Sequence, residues 1–553
     1  MGYSGCDSME NRIDNLDRIS ALPDEILHHI LSFVSLKQAV RTSVLSKSWK
    51  ETWHTCPILV LEDHPHRDIA RVKEVLKFME QTLLNRHMEM ISLRKLMISL
   101  AWFWDDKFAA LVDRCVCFAI GSNVKELKLR FPFFWGRYNL PQIVFCAKSI
   151  NVLELDHCTL SPPRIGVQLS LRKLCLVGVY VDDQMIENLF ARCPLIECLT
   201  IESSKGFKSL ELFSLRKLHE VEISSNAELK KVEINALNVH SVTITNMETC
   251  VINVACCKNL KCLVLSDLSI TDDWLCNVIS DFSLLQFLSI TYCHKLRSIK
   301  ISCPSLKELV IIGCDLVEVK LETPNLSIFR FHGHPISFTS NAMALSETDL
   351  YIYGYDDDIQ VDIQVLVKYI ELLAKFNQCS EVLNLGHCTG AVVIVPREWR
   401  QILHPPLCGV RHLNLLIDDD LFDFTIPQLV DSLLWLSPHI VTISMSFPLG
   451  HRHEYSFQFL YKEQLIHKAE NPSCCQSLPI SCWQNCLKGV KIEHTATYFA
   501  QPASVDRFSL ERKTSEKRSY GERFYFHDNI WDELNNLHLN LRNKFSYLFD
   551  GDK

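Results

Sequence analysis

The 553-residue chain contains no run of about 18 uninterrupted apolar residues, so nothing in it is built to cross a membrane as a helix. Its opening, MGYSGCDSME, has neither the basic region nor the apolar stretch of a secretory signal, and Cys6 stands where a myristoylation signal wants Ser or Thr. Positive charge is also short: 57 Lys and Arg against 65 Asp and Glu leave a net charge of −8, which argues against general nucleic-acid binding through phosphate neutralisation. The 17 glycines never gather into a phosphate-cradling loop, and no Gly-x-Ser-x-Gly elbow occurs. Metal-ligand patterns are incomplete. His64-x-His66, His332-x-His334 and His451-x-His453 lack companion cysteines or an acidic partner and read as loop histidines. Cys474, Cys475, Cys482 and Cys486 fit no standard zinc spacing. The Asp356–Asp358 and Asp418–Asp420 runs lack the glycine and terminal glutamate of a calcium loop. The expectation is a non-catalytic protein with no catalytic residue, no metal and no cofactor.

What is present is a folded composition, 48% apolar and 22% charged, in a chain too long for one ordinary core. The 24 cysteines, without a secretion signal, are expected to be reduced thiols that pack as small hydrophobes, in the cytoplasm and/or nucleus.

Residues 18–54, DRISALPDEILHHILSFVSLKQAVRTSVLSKSWKETW, form a compact helix-patterned unit. Pro23 suits a first helical turn, and Asp24 and Glu25 favour its positive end. Ile26, Leu27, Ile30, Leu31 and Val34 repeat at helical spacing. A second short helix is expected from Leu36 to Val44, and Ser46 is a candidate N-cap for a third helix carrying Trp49 and Trp53. Three short helices are too little to stand alone comfortably and call for a partner surface. The stretch resembles the F-box of plant F-box proteins through DRISALPDEIL, HHILSFVSLKQAVRTSVLSKSW and the trailing Trp53 with CPILVLED. It departs from the family at VSLKQAV and at Ser48. The resemblance implies that Leu22, Pro23, Ile26, Leu27, Ile30, Leu31, Val44, Leu45 and Trp49 contact a Skp-type adaptor of a cullin ubiquitin ligase or support that contact.

From residue 93 a second pattern recurs: apolar, two residues, apolar, one residue, apolar. Copies begin at 150, 171, 196, 218, 239, 260, 285, 306 and 326, a period of about 20–25 residues. That is the mark of a leucine-rich repeat, whose Leu-x-Leu segment is a strand with one face in the core. The longer intervals hold helices, DDQMIENLFARC at 182 and TDDWLCNVISDF at 271. The shorter ones hold a second strand motif, as in FKSLEL, LKKVEI, LRSIKI and LVEVKL. The predicted fold is α/β: a leucine-rich-repeat solenoid with a small N-terminal all-α F-box. Leu153, Leu174, Leu199, Val221, Val242, Leu263, Leu288 and Leu309 are expected to be equivalent and buried, with Cys158, Cys293 and Cys314 buried just past their strands.

The predicted domains are a flexible N-terminus (1–17), the F-box (18–60), a helical lead-in with the first repeat (61–123), the solenoid (124–450) and a C-terminal region (451–553). In the last, CWQNCLKGVKIEH resembles part of the FBD region of many plant F-box proteins. These features imply a substrate-recognition subunit of a Skp–cullin–F-box ubiquitin ligase, with the adaptor, the cullin core and an unknown target protein as partners and neither nucleic acid nor membrane among them. The alternative is a repeat scaffold not coupled to ubiquitin transfer. Strand alternation nominates Glu222, Thr243, Val264, Phe287, Ser289 and Arg330 as outward, target-binding residues.

Overall fold

The computed structural model describes residues 22–62, 78–100, 106–131, 138–161, 168–353, 363–377, 381–387, 394–417, 426–449, 453–461, 487–496 and 518–525, apart from isolated positions within these spans. They fall into two compact units, one of residues up to Val239 with Val251–Asn253, the other of His240–Cys250 with the chain from Val254 onward.

The first unit begins with three helices, α1 (Asp24–Ser32), α2 (Leu36–Thr42) and α3 (Lys47–Thr55). Pro23 is the N-cap of α1, and its carbonyl accepts hydrogen bonds from the amides of Ile26 and Leu27. Ser46 caps α3, its hydroxyl accepting from the amide of Trp49 at 3.1 Å. Leu27, Leu31, Ala39, Trp49, Trp53 and Cys56 form their core, and Ile58 and Phe78 pack against it. The expected F-box boundary at residue 60 therefore cuts through structure. Strand β1 (Ile58–Glu62) leaves α3 after two residues and pairs in parallel with β2 (Lys95–Ser99), Leu59 opposite Leu96 and Leu61 opposite Ile98. The first strand of the repeat sheet thus begins inside the F-box segment and runs past its end.

From β2 the sheet continues through the parallel strands Glu126–Arg130, Val152–Asp156, Lys173–Val177, Cys198–Glu202 and Glu220–Ser224. Strands Ser209–Glu211, Lys231–Glu233 and Val251–Asn253 form a second small parallel sheet. Helix Asp183–Arg192 is capped by Asp182, and Asp183 then accepts from the amides of Lys208 and Ser209, starting the small sheet's first strand. Two adjacent aspartates thus serve two elements.

The second unit repeats the plan. Its parallel strands are Ser241–Met247, Cys262–Leu268, Phe287–Thr291, Glu308–Ile312, Ile328–Gly333, Glu347–Ile352, Val382–His387, His412–Ile417 and Thr442–Leu449. Its small sheet comprises Ser298–Ser302, Glu318–Glu322 and Ser337–Ser340. Thr271 caps helix Asp272–Ser280, and Asp272 accepts from the amides of Arg297 and Ser298, as Asp183 does in the first unit. After Thr442–Leu449 the sense reverses. His453–Tyr461, Leu487–Ala496 and Arg518–Tyr525 add antiparallel strands, and the FBD-like LKGVKIEH is the middle one.

The eight predicted ladder residues are buried at 0–1% exposure, and Cys158, Cys293 and Cys314 at 0–5%. Where these ladders pair directly, the equivalence is residue for residue: Leu153 faces Leu174, and Leu263, Leu288 and Leu309 follow one another across three strands. Two expectations need correction. His332 is not in a loop but in strand Ile328–Gly333, and His453 opens strand His453–Tyr461. Within the helical lead-in, residues 63–77 lie outside the described residues, as do His451, the Cys474–Cys486 group and both aspartate runs; His64 and His66 fall in that lead-in stretch. Among the described residues there is no group of three or more His, Cys, Asp or Glu able to hold a metal. No described helix is long and apolar enough to cross a membrane.

Candidate functional site

The structure splits the F-box candidates into two sets. Leu27, Leu31 and Trp49 face inward as core, so they support the surface rather than form it. Leu22 (37% exposed), Ile26 (46%), Val44 (83%) and the exposed Pro23 are open to solvent, and Ile30 is half-buried. Leu45 lies outside the described residues. Sequence reasoning missed Phe33, which is 76% exposed one residue past α1, its ring edge-on to His29. The signal was present, because Ile26, Ile30 and Phe33 follow an i, i+4, i+7 spacing. Leu22, Ile26, Phe33 and Val44 are thus four large apolar side chains left exposed on one small helical unit.

On the repeat sheet of the first unit, charges are sorted. Glu154 is buried beside Lys128 (2.7 Å), Lys173 (3.4 Å) and Arg130 (3.7 Å). Burial alone would raise its pKa, but the hydrogen bond from Lys128 and the charges of Lys128, Lys173 and Arg130 outweigh it and hold the carboxyl below its ordinary value. Three strands on, the sign reverses. Glu222, opposite Thr200 in register, has its pKa raised by burial first and then by Glu202 and Glu220. Its folded-state pKa exceeds its unfolded one, so the protonated form is favoured in the fold and stability is lost as pH rises through the folded value. Glu222→Gln, which keeps the neutral shape, is therefore expected to stabilise the chain at neutral pH. The gain should vanish below the ordinary glutamate range. Thermal melts of both proteins from about pH 3 to about pH 8, on either side of the ordinary glutamate range, check this.

The second unit presents a register row of Thr243, Val264, Ser289, Val310, Arg330, Asp349, Asn384, Asn414 and Ser444. Thr243, Val264 and Phe287 are half-buried, as expected of a sheet face. Ser289 is not available: it is 1% exposed, in register between Val264 and Val310, and Val310 is itself buried. Arg330 is not free either. Its guanidinium donates to Glu308, to Glu347 (3.1 Å) and to Asp349 (3.0 Å), tying three strands together. The row continues where sequence reasoning stopped: Asn384 donates to Asp349, and Asn414 donates to Asn384 at 2.7 Å. The signal lay in the middle positions of VLNL and HLNL, which are the outward places of two late repeats. Beside the row, burial holds the pKa of His332 below its ordinary value, keeping the imidazole neutral next to Tyr351 (ring centroids 5.2 Å apart).

Comparison with known proteins fits this division. The F-box domain profile matches residues 19–61, and the profile described as At1g61320/AtMIF1, LRR domain, matches residues 83–254 and 247–381, together more than half of the chain. The chain belongs to the F-box/leucine-rich-repeat family. F-box/LRR-repeat protein 25 of Arabidopsis thaliana is 29% identical over 237 residues, 42% of this chain and 87% of that protein. A putative F-box/LRR-repeat protein of the same plant is 33% identical over 195 residues, 34% of this chain and 40% of its own length. A putative F-box/FBD/LRR-repeat protein is 30% identical over 241 residues, 42% of this chain and 54% of its own. For these last two the match spans less than two thirds of the relative.

Proposed function

We propose that this F-box/leucine-rich-repeat protein is the substrate receptor of a Skp–cullin–F-box ubiquitin ligase, acting in the cytoplasm and/or nucleus. The observation that carries the reading is the partition of the F-box: Leu27, Leu31 and Trp49 build a core, while Leu22, Pro23, Ile26 and Val44, joined by Phe33, remain outside it. A core supporting an exposed apolar set is what a docking module for the adaptor needs, and the exposed set is where a partner gains most per residue. The repeat sheets offer the target a mixed polar and apolar face with little unpaired positive charge. Thr243, Val264 and Phe287 are the accessible candidates on the sheet of the second unit, and Glu222 is the one on the sheet of the first. Arg330 serves this face indirectly, by fixing three strands. The receptor contributes no nucleophile. It raises the concentration of target lysines near the charged conjugating enzyme, so its contribution is proximity.

Affinity capture with the full chain under proteasome inhibition supplies targets, and Phe287→Ala is the variant to compare. It is expected to retain the adaptor and weaken a verified target. Arg330→Glu is a poorer probe, since it would set a fourth carboxylate among Glu308, Glu347 and Asp349. If a verified target binds folded Phe287→Ala normally and is lost only when residues 451–553 are removed, recognition resides in the C-terminal region.

A further inference from the structure

Arg86 stands out among the buried groups. It lies in the helical stretch 80–86, outside the three F-box helices, and is 1% exposed. One terminal nitrogen donates to the carbonyl of Cys56 at 2.6 Å, the other to the carbonyl of Trp53 at 2.8 Å. Its guanidinium carbon is 5.6 Å from the centroid of the Trp53 ring. Nε has no hydrogen-bond partner among the described residues.

A guanidinium buried on backbone carbonyls, rather than on a carboxylate, is an expensive way to fill space. Burial depresses its pKa, with Cys56 and Glu89 acting in the opposite sense. What the arrangement provides is geometry. Trp53 offers one of the last carbonyls of α3, Cys56 is the C-cap, and the planar fork of an arginine spans both, where the negative end of the helix favours a cation. Two residues later the chain enters β1, which is hydrogen-bonded into the repeat sheet through β2. Phe78 closes the same junction, its ring centroid 6.0 Å from that of Trp53.

We infer that Arg86 is a positioning residue that pins the end of the F-box to the first repeats, so that the first unit moves as one body when the adaptor holds it. This rests on the reading of the chain as a ligase receptor. Under that reading the pin sets where a ubiquitin-charged enzyme can reach, because the adaptor fixes α1–α3 while acceptor lysines ride on the repeats. A loose joint would leave adaptor binding alone and blur the reach.

The test uses the full chain in a reconstituted adaptor–cullin ligase, with Arg86→Met and Arg86→Lys beside wild type. Methionine fills much of the volume without donors. Lysine keeps the charge but lacks the fork that spans two carbonyls. Adaptor affinity should be unchanged in both. Ubiquitin on the chain's own lysines, mapped by mass spectrometry, should fall on a restricted set in wild type, spread to further sites in Arg86→Met, and be intermediate in Arg86→Lys. Amides of β1 should exchange with solvent at least about tenfold faster in Arg86→Met, as local opening becomes easier. An unchanged site pattern and unchanged β1 exchange in either folded variant overturns the inference. Should Arg86→Met fail to fold, the lysine variant alone decides by the same two readouts. If wild type neither retains the adaptor nor accepts ubiquitin, the receptor reading fails instead, and β1 exchange still judges the pin.

Discussion

The full chain carrying Leu22→Ala with Pro23→Ala is expected to bind a Skp-type adaptor roughly thirtyfold more weakly than wild type, a loss of about 2 kcal/mol or more. The two residues act differently. Leu22 is open to solvent and loses its contact area, whereas Pro23 fixes the entry to α1 with φ at −57° and a carbonyl that accepts from Ile26 and Leu27. Alanine keeps that carbonyl but not the locked φ, so α1 starts less sharply and Ile26 is presented less well. Neither residue belongs to the helical core, so the melting temperature should stay close to wild type. Leu27→Ala makes the contrast: it is fully buried, and any loss of binding there should come with a loss of stability. Calorimetric titration of adaptor into both folded proteins checks the prediction. Undiminished binding by the double variant would place the interface elsewhere.

The largest effect on stability is expected from the leucine ladder. Leu288→Ala removes a side chain with 0% exposure, held between Leu263 and Leu309 on the neighbouring strands. Parallel strands hold these positions in fixed register, so the neighbours cannot close the gap without shifting their own ladders. The cost should be about 2–5 kcal/mol, and Val242→Ala should cost less because fewer atoms are lost. Denaturant unfolding followed by fluorescence reads it directly. A change at Leu288 no larger than that of an exposed site such as Lys258→Ala would contradict the repeat packing.

The repeat is readable in the sequence because a strand that buries one face repeats its apolar residues at every second position, and each turn of the solenoid returns that face to the same place. Thr271 and Asp182 are readable for a similar reason, since a side chain that caps a helix acts on amides a few residues away. The left-handed positions at or near the strand ends are not. His157, Ser203 and Ser225 in the first unit, and Asn246, Asp267 and Tyr292 in the second, sit at φ between 49° and 56°, where glycine would be the usual signal. Among the described residues, only Gly178 and Gly313 show it at the equivalent place. Three of the others are tied to the next strand as these glycines are: the amide of His157 donates to the carbonyl of Val177 at 2.8 Å, that of Ser203 to Ser224 at 3.0 Å and that of Tyr292 to Ile312 at 2.7 Å. Local sequence carries no mark of a bond made to the next repeat.

The candidate faces are legible to the same degree. Alternation identified which residues of a strand avoid the core, but not which of those remain reachable. Ser289 is outward in register and still covered, and Arg330 is outward but spent on three carboxylates. Both outcomes depend on neighbours about twenty residues away in the chain, one repeat to either side. The F-box shows the same limit. Helical spacing marks Ile26 and Leu27 alike as apolar, and only the packing of α1 against α3 sends one outward and the other in.

The most direct measurement is recovery of the ligase core from cells expressing the tagged full chain or the Leu22→Ala/Pro23→Ala variant at equal level. Wild type should bring down both adaptor and cullin, the variant should lose them together, and at least one protein bound by both should carry ubiquitin only in cells expressing wild type. Adaptor retained without cullin, or bound proteins ubiquitinated equally in both, would contradict a receptor that works by delivering its target to the ligase.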